Sequence, residues 1–139
     1  MNEKMDKLLR DAIETLKMAK ETAQNNVTNM YWTNIKMQNN RKKFSSAEIS
    51  KGAKLEEELS GLVDEYDRML VLLEDSVQTA GGDATQELLQ KLLNCMEEGK
   101  TCLDRQKIIE SDMLALDTSL QRRKERSAKL CMLNRRVKI

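Results

Sequence analysis

Residues 88–137 read LLQKLLNCMEEGKTCLDRQKIIESDMLALDTSLQRRKERSAKLCMLNRRV. Every seventh position of that stretch is Leu88, Cys95, Cys102, Ile109, Leu116, Arg123, Leu130 and Val137. Seven of the eight are apolar, in a chain whose residues are 34% charged. A second column, four residues on, is apolar at Leu92, Met113 and Leu120 and polar or small at Gly99, Gln106, Ser127 and Asn134. Sevenfold spacing with polar residues between lays one narrow apolar seam along a helix. The predicted helix covers residues 84–138, roughly 80 Å at 1.5 Å per residue. Nothing so long and so polar is stable alone in water, so other helices must lie along it.

Upstream of this helix, residues 79–83 read TAGGD. A glycine pair ends a helix by supplying a left-handed residue, and Asp83 with Gln86 three places on is in capping-box register for the next one. So short a link makes the flanking helices antiparallel neighbours. Before it, Leu55, Leu59, Leu62, Tyr66, Met69 and Leu73 recur at steps of four and three, with Val63, Leu70 and Val77 widening the stripe. Across the turn, Leu70 and Leu73 are expected to face residues 88–92, and Leu55 to lie near residues 103–109. The predicted fold class is all-α, an elongated antiparallel helical hairpin or coiled coil forming a single domain over residues 1–139.

The first segment, residues 2–44, has its own sevenfold column: Leu9, Leu16, Ala23, Met30, Met37 and Phe44. Ile13 and Val27 flank it on one side, and Met5, Ala12 and Ala19 on the other, so the stripe is wide enough for two neighbours. Tyr31 and Trp32 are adjacent and leave the axis in different directions; one is expected to pack inward and the other to be exposed or to meet a partner. Residues 39–54, NNRKKFSSAEISKGAK, are poor in large apolar side chains. Ser45 with Glu48 forms a possible capping box, but no proline or glycine pair marks a break. The step of eleven from Phe44 to Leu55 is a stutter that one helix can absorb. The first expectation is therefore a continuous or bent helix over residues 2–79; the alternative is a break near 45–50 that makes a three-helix bundle.

Composition narrows the function classes. The 139 residues contain no proline and no histidine, and aromatics are 3%. Such a chain builds slender helix-to-helix seams rather than a thick core. Without histidine the usual general base and the commonest metal ligand are missing, and no glycine-rich phosphate loop occurs. Cys95 and Cys102 fall in the seam and read as small buried apolar residues; Cys131, one place off, is the accessible thiol. No catalytic residue, cofactor site or metal site is expected. Three cysteines without a short spacing, and an N-terminal stretch broken by charges, fit an intracellular chain, cytoplasmic or nuclear, neither secreted nor membrane-spanning.

The net charge of +1 hides a strong pattern. Residues 36–54 set six basic side chains against Glu48, a net +5; residues 55–75 set eight acids against Arg68, a net −7; residues 122–139 set eight basic side chains against Glu125, a net +7. Folding at the glycine pair brings the basic segments together at the end of the rod away from that turn. The expected basic pole comprises Arg41, Lys42, Lys43, Arg122, Arg123, Lys124, Arg126, Lys129, Arg135 and Arg136. Its expected partner is an acidic protein surface, with nucleic acid or anionic lipid less favoured.

In a hairpin of unequal arms, the first two dozen residues overhang with their seam exposed. Met5, Leu9, Ile13, Leu16, Val27, Met30, Trp32 and Met37 are therefore the candidate surface for a second helical subunit, in a homo- or hetero-oligomer. The expected function is that of a non-catalytic coiled-coil scaffold or adaptor subunit of a larger assembly, with cytoskeletal or chromosome-segregation machinery as the setting. The alternatives are an adaptor in membrane traffic or tethering and a non-specific nucleic-acid-binding module.

Overall fold

The heptad seams resolve into three helices. The computed structural model describes residues 3–80 and 86–137, which form α1 (Glu3–Asn39), a short 3-10 turn (Arg41–Lys43), α2 (Ser46–Ala80) and α3 (Gln86–Val137), with no strand among them. The glycine pair and Asp83 lie outside the described residues, as do the side chains of Met5, Val77, Leu88, Arg135, Arg136 and Val137. The chain is all-α, as its periodicity implies.

The continuous helix expected through residues 39–54 is not what forms; the chain turns sharply there, as in the three-helix alternative. Asn40 makes the stop. Its amide side chain donates to the Lys36 carbonyl at 3.0 Å, its N–H to Met37 O at 3.2 Å, and its own carbonyl accepts the Lys43 N–H at 2.8 Å. Those bonds use up helix-end carbonyls without a left-handed residue. Phe44 then runs extended (φ −123°, ψ 146°) and tucks its half-buried ring against the core. The Ser45–Glu48 capping box starts α2: Ser45 Oγ accepts the Glu48 N–H at 3.1 Å, and Glu48 Oε1 accepts the Ser45 N–H at 2.9 Å. One asparagine and a capping box thus do what proline and glycine commonly do.

Cross-helix pairs give the topology. Lys20 reaches Asp67 at 2.7 Å and Asn34 donates to the Gly52 carbonyl at 3.0 Å, so α1 and α2 are antiparallel. Glu65 meets Cys102 and Glu48 meets Ser119, so α2 and α3 are antiparallel as well. Asn26 pairs with Glu110 and Gln106 with the Ala19 carbonyl, leaving α1 and α3 parallel. Interpolating between the α2–α3 pairs puts Leu55 level with residue 112, about one turn beyond the expected 103–109. The core is a single seam: Leu9, Leu16, Ala23, Met30 and Met37 of α1; Leu55, Leu59, Leu62, Tyr66, Met69 and Leu73 of α2; Leu92, Cys95, Cys102, Ile109 and Leu116 of α3.

At two glycines in the seam an added Cβ would crowd a neighbour. Gly99 lies where a Cβ would come within 3.2 Å of Leu16 Cδ2, letting α1 close on α3. A Cβ on Gly52 would run into Asn34 Oδ1 and meet Met37 Cε at 2.6 Å. Asn34 cannot simply swing aside, because its amide donates both to Gly52 O and, at 2.7 Å, to Glu56 Oε1. Gly52→Ala is therefore expected to destabilise the fold by about 1–3 kcal/mol through overpacking. Gly61→Ala, with nothing within 4 Å of the added methyl, is expected to stabilise it by about 0.5–1 kcal/mol. Urea unfolding of the two variants, followed by circular dichroism, measures the difference.

Candidate functional site

The α1 seam is the first candidate surface, and the structure gives it partners inside the chain. Leu9, Leu16, Met30 and Met37 are buried against α2 and α3, and Ile13 and Val27 pack partly buried at the edge. The turn at Asn40 folds α1 back along α2 instead of leaving it overhanging, so these six members of the expected subunit surface are core or core edge. Trp32 stays outside, at 63% exposure, and Tyr31 is exposed too; neither packs inward. Their rings meet edge to face, centroids 5.3 Å apart. Trp32 borders a shallow groove between α1 and α3 that Leu114 and Leu120 also line.

The uncovered surface lies at the opposite end. From Leu92 to Leu120 the columns of α3 are buried or half-buried, and the same register then continues exposed. Leu116 is 7% exposed, whereas Leu130 is 60%, Met132 59% and Leu133 55%. All of residues 121–133 are exposed. The cause is the position of the α1–α2 turn, which sits beside Ser119 and Arg123. From there to Val137, α3 projects about 21 Å at 1.5 Å per residue.

The expected basic pole is at this end. Arg41, Lys42 and Lys43 are exposed on the turn, and Arg122, Lys124, Arg126 and Lys129 are exposed on the projecting helix. None of the seven has an ion pair among the described residues. Arg123 differs: its guanidinium pairs with the nearly buried Glu48. The acidic segment of α2 is partly neutralised within the chain, through Arg105–Glu65, Lys20–Asp67, Lys17–Glu74 and Lys54–Glu58.

A polar layer across the middle of the bundle was not legible as a cluster in the sequence. Tyr66 donates to Gln106 Oε1 at 2.6 Å, and Gln106 donates on to the Ala19 carbonyl at 3.4 Å, so one buried chain of bonds ties all three helices. Beside it the Cys102 thiol donates to Glu65 at 2.8 Å, and Arg105 closes on the same carboxylate at 2.7 Å. Burial first, then the bond to Glu65, pushes the Cys102 thiol above its ordinary range, and burial does the same at Cys95. Burial raises the Tyr66 hydroxyl to about 12. A thiol held protonated is a hydrogen-bond donor, not a nucleophile. Gln106 is the polar member of the second α3 column between Leu92 and Leu120, which was the available signal. Cys95 and Cys102 are buried and Cys131 is exposed. No cluster of metal-ligating side chains occurs among the described residues, and no helix there is long and apolar enough to cross a membrane.

Comparison with protein-family models, with curated proteins and with solved structures gives no match for this chain.

Among the described residues, Glu48 and Glu65 are the carboxylates held below their ordinary range. Burial opposes ionisation of Glu48, but hydrogen bonds from Ser45 and the Arg123 guanidinium outweigh it and hold its carboxyl below the usual range. The Cys102 and Arg105 hydrogen bonds lower Glu65 in the same way. Both groups bind protons less readily folded than unfolded, so their stabilisation is complete above the ordinary carboxylate range and is lost as pH falls through the lowered folded values. Melting temperature is expected to drop on that acid limb, and the Glu48→Gln, Glu65→Gln double variant to flatten it. At neutral pH, Glu48→Ala is expected to cost about 2 kcal/mol, by removing a cap and stranding its donors. Thermal and urea melts across pH read both effects.

Proposed function

We propose that this chain is a non-catalytic helical scaffold or adaptor subunit, in which a closed three-helix bundle carries a projecting arm that joins it to other proteins. The observation that carries this reading is the mismatch in helix length: α3 outruns α1 and α2, and its apolar column continues uncovered through Leu130. An apolar column maintained outside a fold is costly in water and marks a binding surface. The basic side chains around it add long-range attraction for an anionic partner. A scaffold also suits the interior, where the polar atoms serve to hold register and where burial and the bond to Glu65 push the Cys102 thiol above its ordinary range.

The arm is expected to be dispensable for the bundle, because residues 124–133 are all exposed and none belongs to its core. A chain ending at Arg123 is expected to melt within a few degrees of the full chain, since each kcal/mol shifts the midpoint of a domain this size by about 3–6 °C. In cell extract, the full chain is expected to elute by size exclusion within a larger assembly and the shortened one as a lone chain. Elution of the full chain at the size of a single copy would defeat the proposal.

A further inference from the structure

The side of α3 that faces α2 has a regular column of polar pairs, and the column outlasts α2. At steps of seven, Glu98 pairs with Arg68, Arg105 with Glu65, Asp112 with Lys51, and Ser119 with Glu48. The next two members are Arg126 and Leu133, and α2 begins at Ser46, too late to reach them. Leu130, one turn on from Arg126, lies on the same side. The arm thus repeats the recipe of an α2-facing surface, apolar with a charged member, with the facing helix missing.

Three anionic surfaces and a second copy compete for this place. A membrane takes an apolar face with its basic residues at the margins; here Arg126 stands angularly between Leu130 and Leu133, and Met132 points to another side, at about 100° per residue. Nucleic acid would use the basic residues alone, with no aromatic among residues 121–137 to stack a base and no role for the leucines. A second copy of the arm would set residues 122–139, net +7, against themselves. An acidic helix uses both the leucines and the basic side chains.

Resting on the scaffold reading above, we propose that the arm docks an acidic amphipathic helix of another protein. That helix lies along the path α2 would follow if it were extended, with apolar side chains on Leu130 and Leu133 and carboxylates toward Arg122, Arg126 and Lys129. The exposed Arg41, Lys42 and Lys43 beside the turn add to its electrostatic attraction.

The probe is a synthetic three-heptad peptide with leucines at seam positions and glutamates beside them, compared with a scrambled peptide of the same composition. Fluorescence anisotropy with the full chain is expected to show binding by the heptad peptide that weakens as salt rises, and binding by the scramble weaker by about tenfold or more. The Leu130→Asp, Leu133→Asp double variant and Arg126→Glu are each expected to weaken heptad binding by about tenfold. Their melts should be unchanged, because these side chains lie outside the bundle. Amide exchange of residues 124–137 is expected to slow when the heptad peptide is bound. Equal binding of the two peptides, no binding of either, or tighter binding of anionic phosphatidylserine vesicles or duplex DNA than of the heptad peptide overturns the proposal. If the peptide fails while the full chain still elutes within an assembly, the partner chemistry falls and the scaffold reading stands; if both fail, both fall.

Discussion

One carboxylate determines where this bundle ends. Glu48 accepts hydrogen bonds from the Ser45 N–H and hydroxyl and so starts α2. It also takes the Arg123 guanidinium and the Ser119 hydroxyl of α3. The first contacts set the residue at which α2 begins, and the second set the residue of α3 that lies opposite. Residues 124–133 of α3, beyond Arg123, are consequently exposed. The arm follows from this joint, because α3 itself continues in unbroken register. Burial would favour protonation of so enclosed a carboxyl, and the two hydrogen bonds from Ser45 and the Arg123 guanidinium overcome that tendency.

Within the bundle, stability and alignment come from different groups. The apolar seam is narrow and nearly without aromatics, and leucine and methionine side chains can slide past one another by a turn with little loss. Directional bonds resist that sliding. Tyr66, Gln106 and the Ala19 carbonyl tie the three helices at one level, and the α2-facing pairs repeat the alignment along the rod. Exposed pairs of this sort contribute about 0–1 kcal/mol each. Their main effect is to penalise a wrong register, in which like charges would meet.

The periodicity carried much of this architecture. The sevenfold columns identified the core of α3 from Cys95 to Leu116 and most of the core of α1 and α2, and the charge count placed the basic segments at one end. The capping box at Ser45 and Glu48 was legible as well, but local signals for continuing the helix stood beside it with comparable weight. The outcome turned on Asn40, whose side chain and backbone consume the last carbonyls of α1, and on the contacts of Glu48 with a helix seventy residues away. Misplacing that turn also misplaced the uncovered surface. A continuous first helix leaves Leu9 and Leu16 outside, and a folded-back one buries them and uncovers Leu130 and Leu133 instead.

By itself, then, the sequence determined that the chain is all helix, which face of each helix is apolar, and where charge accumulates, because these depend on spacings of three, four and seven along one backbone. Only the tertiary structure decided which apolar stripe is satisfied and which is left over. That choice depends on relative helix lengths and register, and both are set by pairs such as Glu48–Arg123 and Tyr66–Gln106 whose members are forty or more residues apart. A local pattern can show that a helix needs a neighbour; only the closed set of contacts shows where the neighbours run out.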